Sequence, residues 1–257
     1  MQKQTFLIAF LAAALLFSAC HEHDNDGPKT NFTVNFSASF SGERLTKYKD
    51  YPFGANQIPL QFNLFSTYLS DIELVSADGS THRLAEVEYL NFNPDNAPSD
   101  LSVIRDITYT NVPEGDYTGI RIGYGVKAAL NAKNPADFAN NHPLALEGEY
   151  WNGWDSYIFT KVEGKTDSDK NGSYDIALLY HCGSDAVYKV YTFNTPVHVH
   201  AGEPALNVNF DLEKLFIMDD GSYYDIVTNF YTSNDPADVS VAQVLMHNFE
   251  KATSVTQ

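Results

Sequence analysis

From Asn31 to Phe40 apolar and polar residues alternate without a break, with Phe32, Val34, Phe36, Ala38 and Phe40 on one side and Thr33, Asn35, Ser37 and Ser39 on the other. Side chains two apart share a face of a strand, so this pattern predicts a strand with one core face and one wet face. The same period predicts strands over 57–64 and 65–75; Asp78-Gly79 then turns the chain into 81–84 to make a hairpin, and 87–92 adds another strand. Residues 93–100 form a Pro/Asn/Asp loop, and 104–124 divide into two strands at Pro113-Glu-Gly-Asp116. Pro135 to Phe138 begin a short helical turn that His142-Pro143 ends. Strands follow over 188–193, 197–200 and 205–212, the last with Leu206, Val208 and Phe210 inward. A closing helix carries Val241, Leu245, Asn248 or Phe249, and Ala252 on one face, with Asp235-Pro236 to start it. Short strands at such intervals predict an all-β chain, an antiparallel β-sandwich of immunoglobulin-like general architecture with short helical additions and a C-terminal helix.

The densest signal lies at 147–185. Tyr157, Phe159 and Lys161 alternate with Ile158, Thr160 and Val162, and Tyr174, Ile176, Leu178 and Tyr180 alternate with Asp175, Ala177, Leu179 and His181. The loop between them, 167–175, is rich in Asp, Asn, Ser and Gly, so the stretch reads as one hairpin.

In this stretch EYWNGWDSYIFTKVEG, followed by Tyr180-His181-Cys182-Gly183-Ser184, resembles the MbnP-like family of bacterial periplasmic copper-binding proteins. Upstream, TYLSDIELVSADG, PEGDYTGIRIGYGVKAALN and NHPLA resemble earlier motifs of that family, and ALNVNFDLEKLF and Asn248-Phe249 resemble its end. The resemblance covers nearly all of the chain after about residue 30. It implies copper binding, and it implies that a tryptophan can be oxidised to kynurenine by a dihaem oxidase-type partner. Family members usually show Trp-x-Trp before Gly-Tyr; this chain has Trp151-Asn-Gly-Trp154 before Ser156-Tyr157, with Gly153 at the second tryptophan position.

Residues 1–19 carry a Lys and an apolar run from Phe6 to Phe17, then Ser18-Ala19-Cys20. This is a secretory signal too short to span a bilayer, and it resembles a lipoprotein signal in which Cys20 is lipidated. Residues 20–30 are then a flexible tether, and 31–257 a single MbnP-like domain. With Cys20 lipidated, Cys182 has no disulfide partner; it reads as a buried small hydrophobe. The net charge is −17, which makes nucleic acid an improbable partner.

Of the eight histidines, His181 lies in the Tyr-His-x-Gly-Ser match and is either a copper ligand or a hydrogen-bonded core residue. His198 and His200 share one face of a strand, where they either converge on one metal or form an exposed polar face. His21 and His23 lie on the tether, and His82, His142 and His247 read as structural. An unmodified indole offers no lone pair, so Trp151 is a copper ligand only as kynurenine; otherwise the two tryptophans are packing or stacking residues. Asp167, Asp169, Asn171 and Asp175 have the spacing of half a calcium loop, but Leu178 stands where an EF-hand needs Glu.

Two functional expectations follow. One is a lipid-anchored copper-binding protein of the cell envelope, an outer-membrane lipoprotein facing the periplasm or the outside, held through its lipid and without catalysis of its own. The other is a surface-lipoprotein module with a calcium-braced loop that binds glycan or protein. No paired nucleophile and base can be read from the spacing, so an enzyme is not expected.

Overall fold

The structure is a computed structural model that describes residues 27–92, 104–233, 235 and 237–257. The signal segment, Cys20, His21, His23, the 93–100 loop and Pro236 lie outside the described residues.

The first strands follow the alternation closely. β1 (Lys29–Phe40) buries Phe32, Val34, Phe36, Ala38 and Phe40, and is followed by β2 (Glu43–Arg44) and β3 (Tyr51–Phe53). β4 (Ile58–Val75) is one strand where two were predicted, and β5 (Thr81–Asn91) likewise joins two predicted pieces. β6 (Arg105–Pro113), β7 (Gly115–Tyr117) and β8 (Gly119–Tyr124) come next, then a short helix α1 (Ala128–Asn131) and three single 3-10 turns, one of which Pro143 starts. β9 (Tyr150–Trp151), β10 (Ser156–Thr166) and β11 (Ile176–Gly183) build the central hairpin. The chain ends with β12 (Lys189–Phe193), β13 (Val197–Val199), β14 (Leu206–Asp211), α2 (Leu212–Leu215), α3 (Ser240–Ala252) and β15 (Thr253–Thr256).

Among the described residues the strands make two main sheets. The order β15-β14-β1-β2, with β6 also on β1, forms the smaller; β11-β10-β4-β8-β12, with β3 and β5 on β4 and β9 on β10, forms the larger; β13 and β7 pair separately. Between these strands all pairings are antiparallel except β1 with β14, in register Val34 to Leu206. β4 is the spine. Its Leu60–Thr67 half carries β10 and its Leu69–Val75 half carries β8. Ser66 and Ser70 also pair with β5, which places β5 on the other edge.

The two sheets and α3 meet at Phe210. Its ring lies 6.1 Å from Phe65, 6.4 Å from Tyr124 and 6.1 Å from Phe249, all edge-to-face, an arrangement that aromatic quadrupoles favour. α3 buries Leu245, Asn248, Phe249 and Ala252 as expected, but its stripe starts at Ala242 and takes in Met246, leaving the expected Val241 half-buried. Its buried Asn248 donates to the carbonyls of Leu215 and Ile217 (2.7 and 3.0 Å), satisfying the end of α2. Among the described residues no helix is long and apolar enough to cross a membrane.

Candidate functional site

The outer face of the β10–β11 hairpin gathers the strongest chemistry. Opposite Cα partners include Lys161 with His181 and Val162 with Tyr180. Tyr180 and Cys182 point into the core, so His181 and Gly183 point outward. The His181 ring Nε2 lies 2.8 Å from Glu163 Oε1, and Asn63 Nδ2 donates to the other oxygen at 3.5 Å. The hydrogen bond with His181 is the largest of the effects that hold the Glu163 carboxyl below its ordinary pKa, so Glu163 is a carboxylate at neutral pH. A carboxylate at Nε2 keeps the proton there and leaves the lone pair on Nδ1. The backbone of His181 is fixed as well. Its N–H donates to Thr232 Oγ1 at 2.9 Å, and the Thr232 hydroxyl donates back to the His181 carbonyl at 2.9 Å.

One of the two tryptophans packs against the end of the strand that carries this histidine. A Cβ on Gly183 would lie 3.3 Å from Trp154 Cζ3, so Trp154 packs over the residue two places from His181 on the same face. Trp151 stacks on Trp154 with centroids 4.7 Å apart and planes at 16°, and the Trp154 N–H closes the turn on the Trp151 carbonyl at 3.0 Å. Both are half-buried. A Cβ at Gly153 would lie 3.1 Å from Trp151 Nε1, so the turn between the two rings is tight.

Long-range bonds hold this turn in place. Lys161 Nζ reaches Glu149 Oε2 and the Gly148 carbonyl at 2.9 and 2.8 Å, and the Tyr89 hydroxyl donates to Glu149 Oε1 at 2.8 Å. The Asn131 side-chain oxygen Oδ1 accepts from the Tyr157 backbone N–H at 2.8 Å and the buried Ser156 hydroxyl at 3.2 Å, and its Nδ2 donates to Asp185 at 2.8 Å. Tyr157 and Tyr68 donate to the carbonyls of Leu144 and Pro143 (2.7 and 2.9 Å), docking the His142 turn on the same hairpin. Within that turn His142 Nδ1 accepts from the Leu144 N–H at 3.1 Å and the ring stacks on Phe138 at 4.5 Å.

His198 and His200 do share a face, with the alternating Val197 and Val199 buried, although β13 ends at Val199 and His200 lies in the following bend. They are not near His181. Lys161, the partner of His181, pairs with Ser66, whereas Gly119, just after β7, pairs with Val75. That length of β4, at about 3.3 Å per residue, is on the order of 30 Å. In the 167–175 loop the buried Asp167 carboxylate accepts from the N–H groups of Asn171 and Gly172 (3.1 and 2.8 Å). Asp169 accepts from the Asn171 side chain at 2.9 Å and Asp175 accepts from Ser168, so each of these carboxylates already has a donor inside the loop. Cys182 is fully buried, and burial pushes its thiol up to about 12. Among the described residues no three His, Cys, Asp or Glu side chains are already posed around one metal position.

The MbnP family profile matches residues 29–240. The chain belongs to the MbnP family. A solved structure, MbnP from Methylosinus trichosporium, superposes with a TM-score of 0.52 at 16% identity over 74% of this chain and 78% of that one. That likeness is one of fold. No curated protein matches the chain. The MbnP match takes in the whole β10–β11 hairpin, His181 and both tryptophans.

Sequence reasoning found His181 and the two tryptophans but missed Glu163, Thr232 and Asn131, whose roles depend on pairings between distant parts of the chain. Asn131 and Glu163 left a signal, as the last and next-to-last residues of family-like motifs; Thr232 left none.

Proposed function

We propose that this protein binds copper in the cell envelope, tethered by lipid on Cys20 and without catalysis of its own. The observation that carries the reading is the outward His181 held by Glu163 within the matched family region, with Trp154 packed at the end of the same strand and Trp151 stacked on it. His181 is the anchoring donor. Copper in either oxidation state accepts imidazole nitrogen, and a ligating histidine ordinarily gives its other N–H to a carboxylate, the part Glu163 plays. One imidazole does not complete a site, and intact indoles add no donor. The remaining donors are the amine and ketone of a kynurenine formed from one tryptophan: a peroxide- or dioxygen-level oxidant acting through a dihaem oxidase-type partner cleaves the indole C2–C3 bond and adds an oxygen to each carbon, and water then releases the formyl carbon as formate.

The test is titration of the purified full-length protein against a competing copper chelator. His181→Ala is expected to weaken binding about a hundredfold or more, whereas His82→Ala and His247→Ala leave it unchanged, because only His181 is both fixed and motif-matched. Equal affinities for wild type and His181→Ala would overturn the reading. Mass spectrometry of the peptide holding Trp151 and Trp154 is expected to show a kynurenine mass increase after co-expression with the partner oxidase.

A further inference from the structure

β13 is clamped along both edges. On one side it pairs with β7, in register His198 to Asp116. On the other, the side chain of Gln257 accepts from the His198 N–H at 2.6 Å and donates to the carbonyls of His198 and Pro204 (2.8 and 2.9 Å). This fixes the backbone under two imidazoles that face one carboxylate across the strand pair. His198 Nδ1 lies 2.6 Å and His200 Nε2 3.4 Å from the same oxygen, Asp116 Oδ1. Glu114, two residues before Asp116, reaches within 4.0 Å of His200 Nδ1.

We propose that Asp116, His198 and His200 form a second cation site, about a β4 half-length away from His181, that takes a divalent transition metal such as Zn2+ or Cu2+. Nitrogen and carboxylate donors at 2.0–2.2 Å around a tetrahedral ion stand about 3.3 Å from one another. The Asp116–His200 separation already has that value, and the Asp116–His198 separation has to open by under about 1 Å. The two imidazoles already converge on one oxygen of Asp116, held there by hydrogen bonds. Two borderline imidazoles and one hard carboxylate suit a divalent ion better than Cu(I), which prefers soft donors. All three side chains are solvent-accessible, at 52, 43 and 72% exposure, so an ion can enter and water can complete its shell. The net charge of −17 raises the local concentration of cations at such a surface.

This inference does not depend on the copper reading, and zinc separates the two. In the full-length protein carrying His21→Ala and His23→Ala, Zn2+ titrated against a chromophoric competitor is expected to fill one site. His198→Ala and His200→Ala weaken it by a hundredfold or more, Asp116→Asn by about 10- to 100-fold, and His181→Ala leaves it unchanged. Ring-proton NMR signals of His198 and His200 are expected to move on adding Zn2+ in the parent protein. If the His198→Ala/His200→Ala pair binds Zn2+ as tightly as the parent, or only the His181 signal moves, the second site does not exist. Loss of zinc in these variants with copper affinity retained leaves both readings standing.

Discussion

Gly183 is fully covered at the end of β11, and a Cβ built on it would lie 2.7 Å from the backbone carbonyl oxygen of Tyr157 as well as against the Trp154 ring. A carbonyl in a paired strand cannot retreat cheaply. Gly183→Ala is therefore expected to cost about 1–3 kcal/mol, the range of an overpacked site, and to shift tryptophan fluorescence as Trp154 is displaced; denaturant melts and emission spectra check both. Glu163 offers a second measurement. Its folded pKa lies below the unfolded value of about 4.3, so its contribution to stability is present above that value and is lost as pH falls through the folded one. In His181→Ala the main cause is gone, and the carboxyl carbon shift of Glu163 is expected to titrate at higher pH than in wild type. The direction of His181 along its strand was legible from alternation alone. Its carboxylate was not, because Glu163 sits across the hairpin and nothing in local spacing says which strand residue lies beside which.

At the scale of elements, β4 shows why a period of two misleads when a strand bulges. Leu60 and Phe62 face the core on even numbers, and Phe65 faces it on an odd one. The pattern read as two strands, 57–64 and 65–75. The chain instead runs straight through, and the change of parity coincides with a register shift, Leu64 opposite Glu163 but Phe62 opposite Gly164. A second irregularity lies between Ser70 and Glu73, where Asp71 has φ of 44°. It buries the Glu73 side chain, which is 8% exposed, against Arg121; Arg121 Nε donates at 2.9 Å and its terminal nitrogen also bonds the same oxygen. Arg121→Ala would leave that carboxylate covered, with Arg83 at 3.8 Å its remaining cation among the described residues. It is expected to destabilise the fold by about 2 kcal/mol, read as a lower urea midpoint at unchanged slope, because a charge-assisted hydrogen bond is lost while the desolvation remains.

Across the whole molecule, the all-β class, the sandwich and the closing helix could be read from periodicity, since each is a repeated local pattern. The sheet order could not. Neither the parallel pairing of β1 with β14 nor the meeting of Asp116 with His198 leaves a trace in spacing, because each joins segments whose own alternation would fit any partner.

The β1–β14 pairing also sets a condition on how the chain reaches its native state. Side chains such as Asn35 and Asn207 meet across 172 residues of sequence, and β15 then adds to β14 from the far end of the chain. The entropy of closing so large a loop is spent before its contacts can return anything. β1 carries a full row of buried aromatic and aliphatic side chains, and until β14 is available that row has β2 and β6 alone as sheet neighbours. Sheet closure is thus expected to be late and slow, and the apolar row of β1 is where a partly made chain would be open to mispairing or to capture by a chaperone.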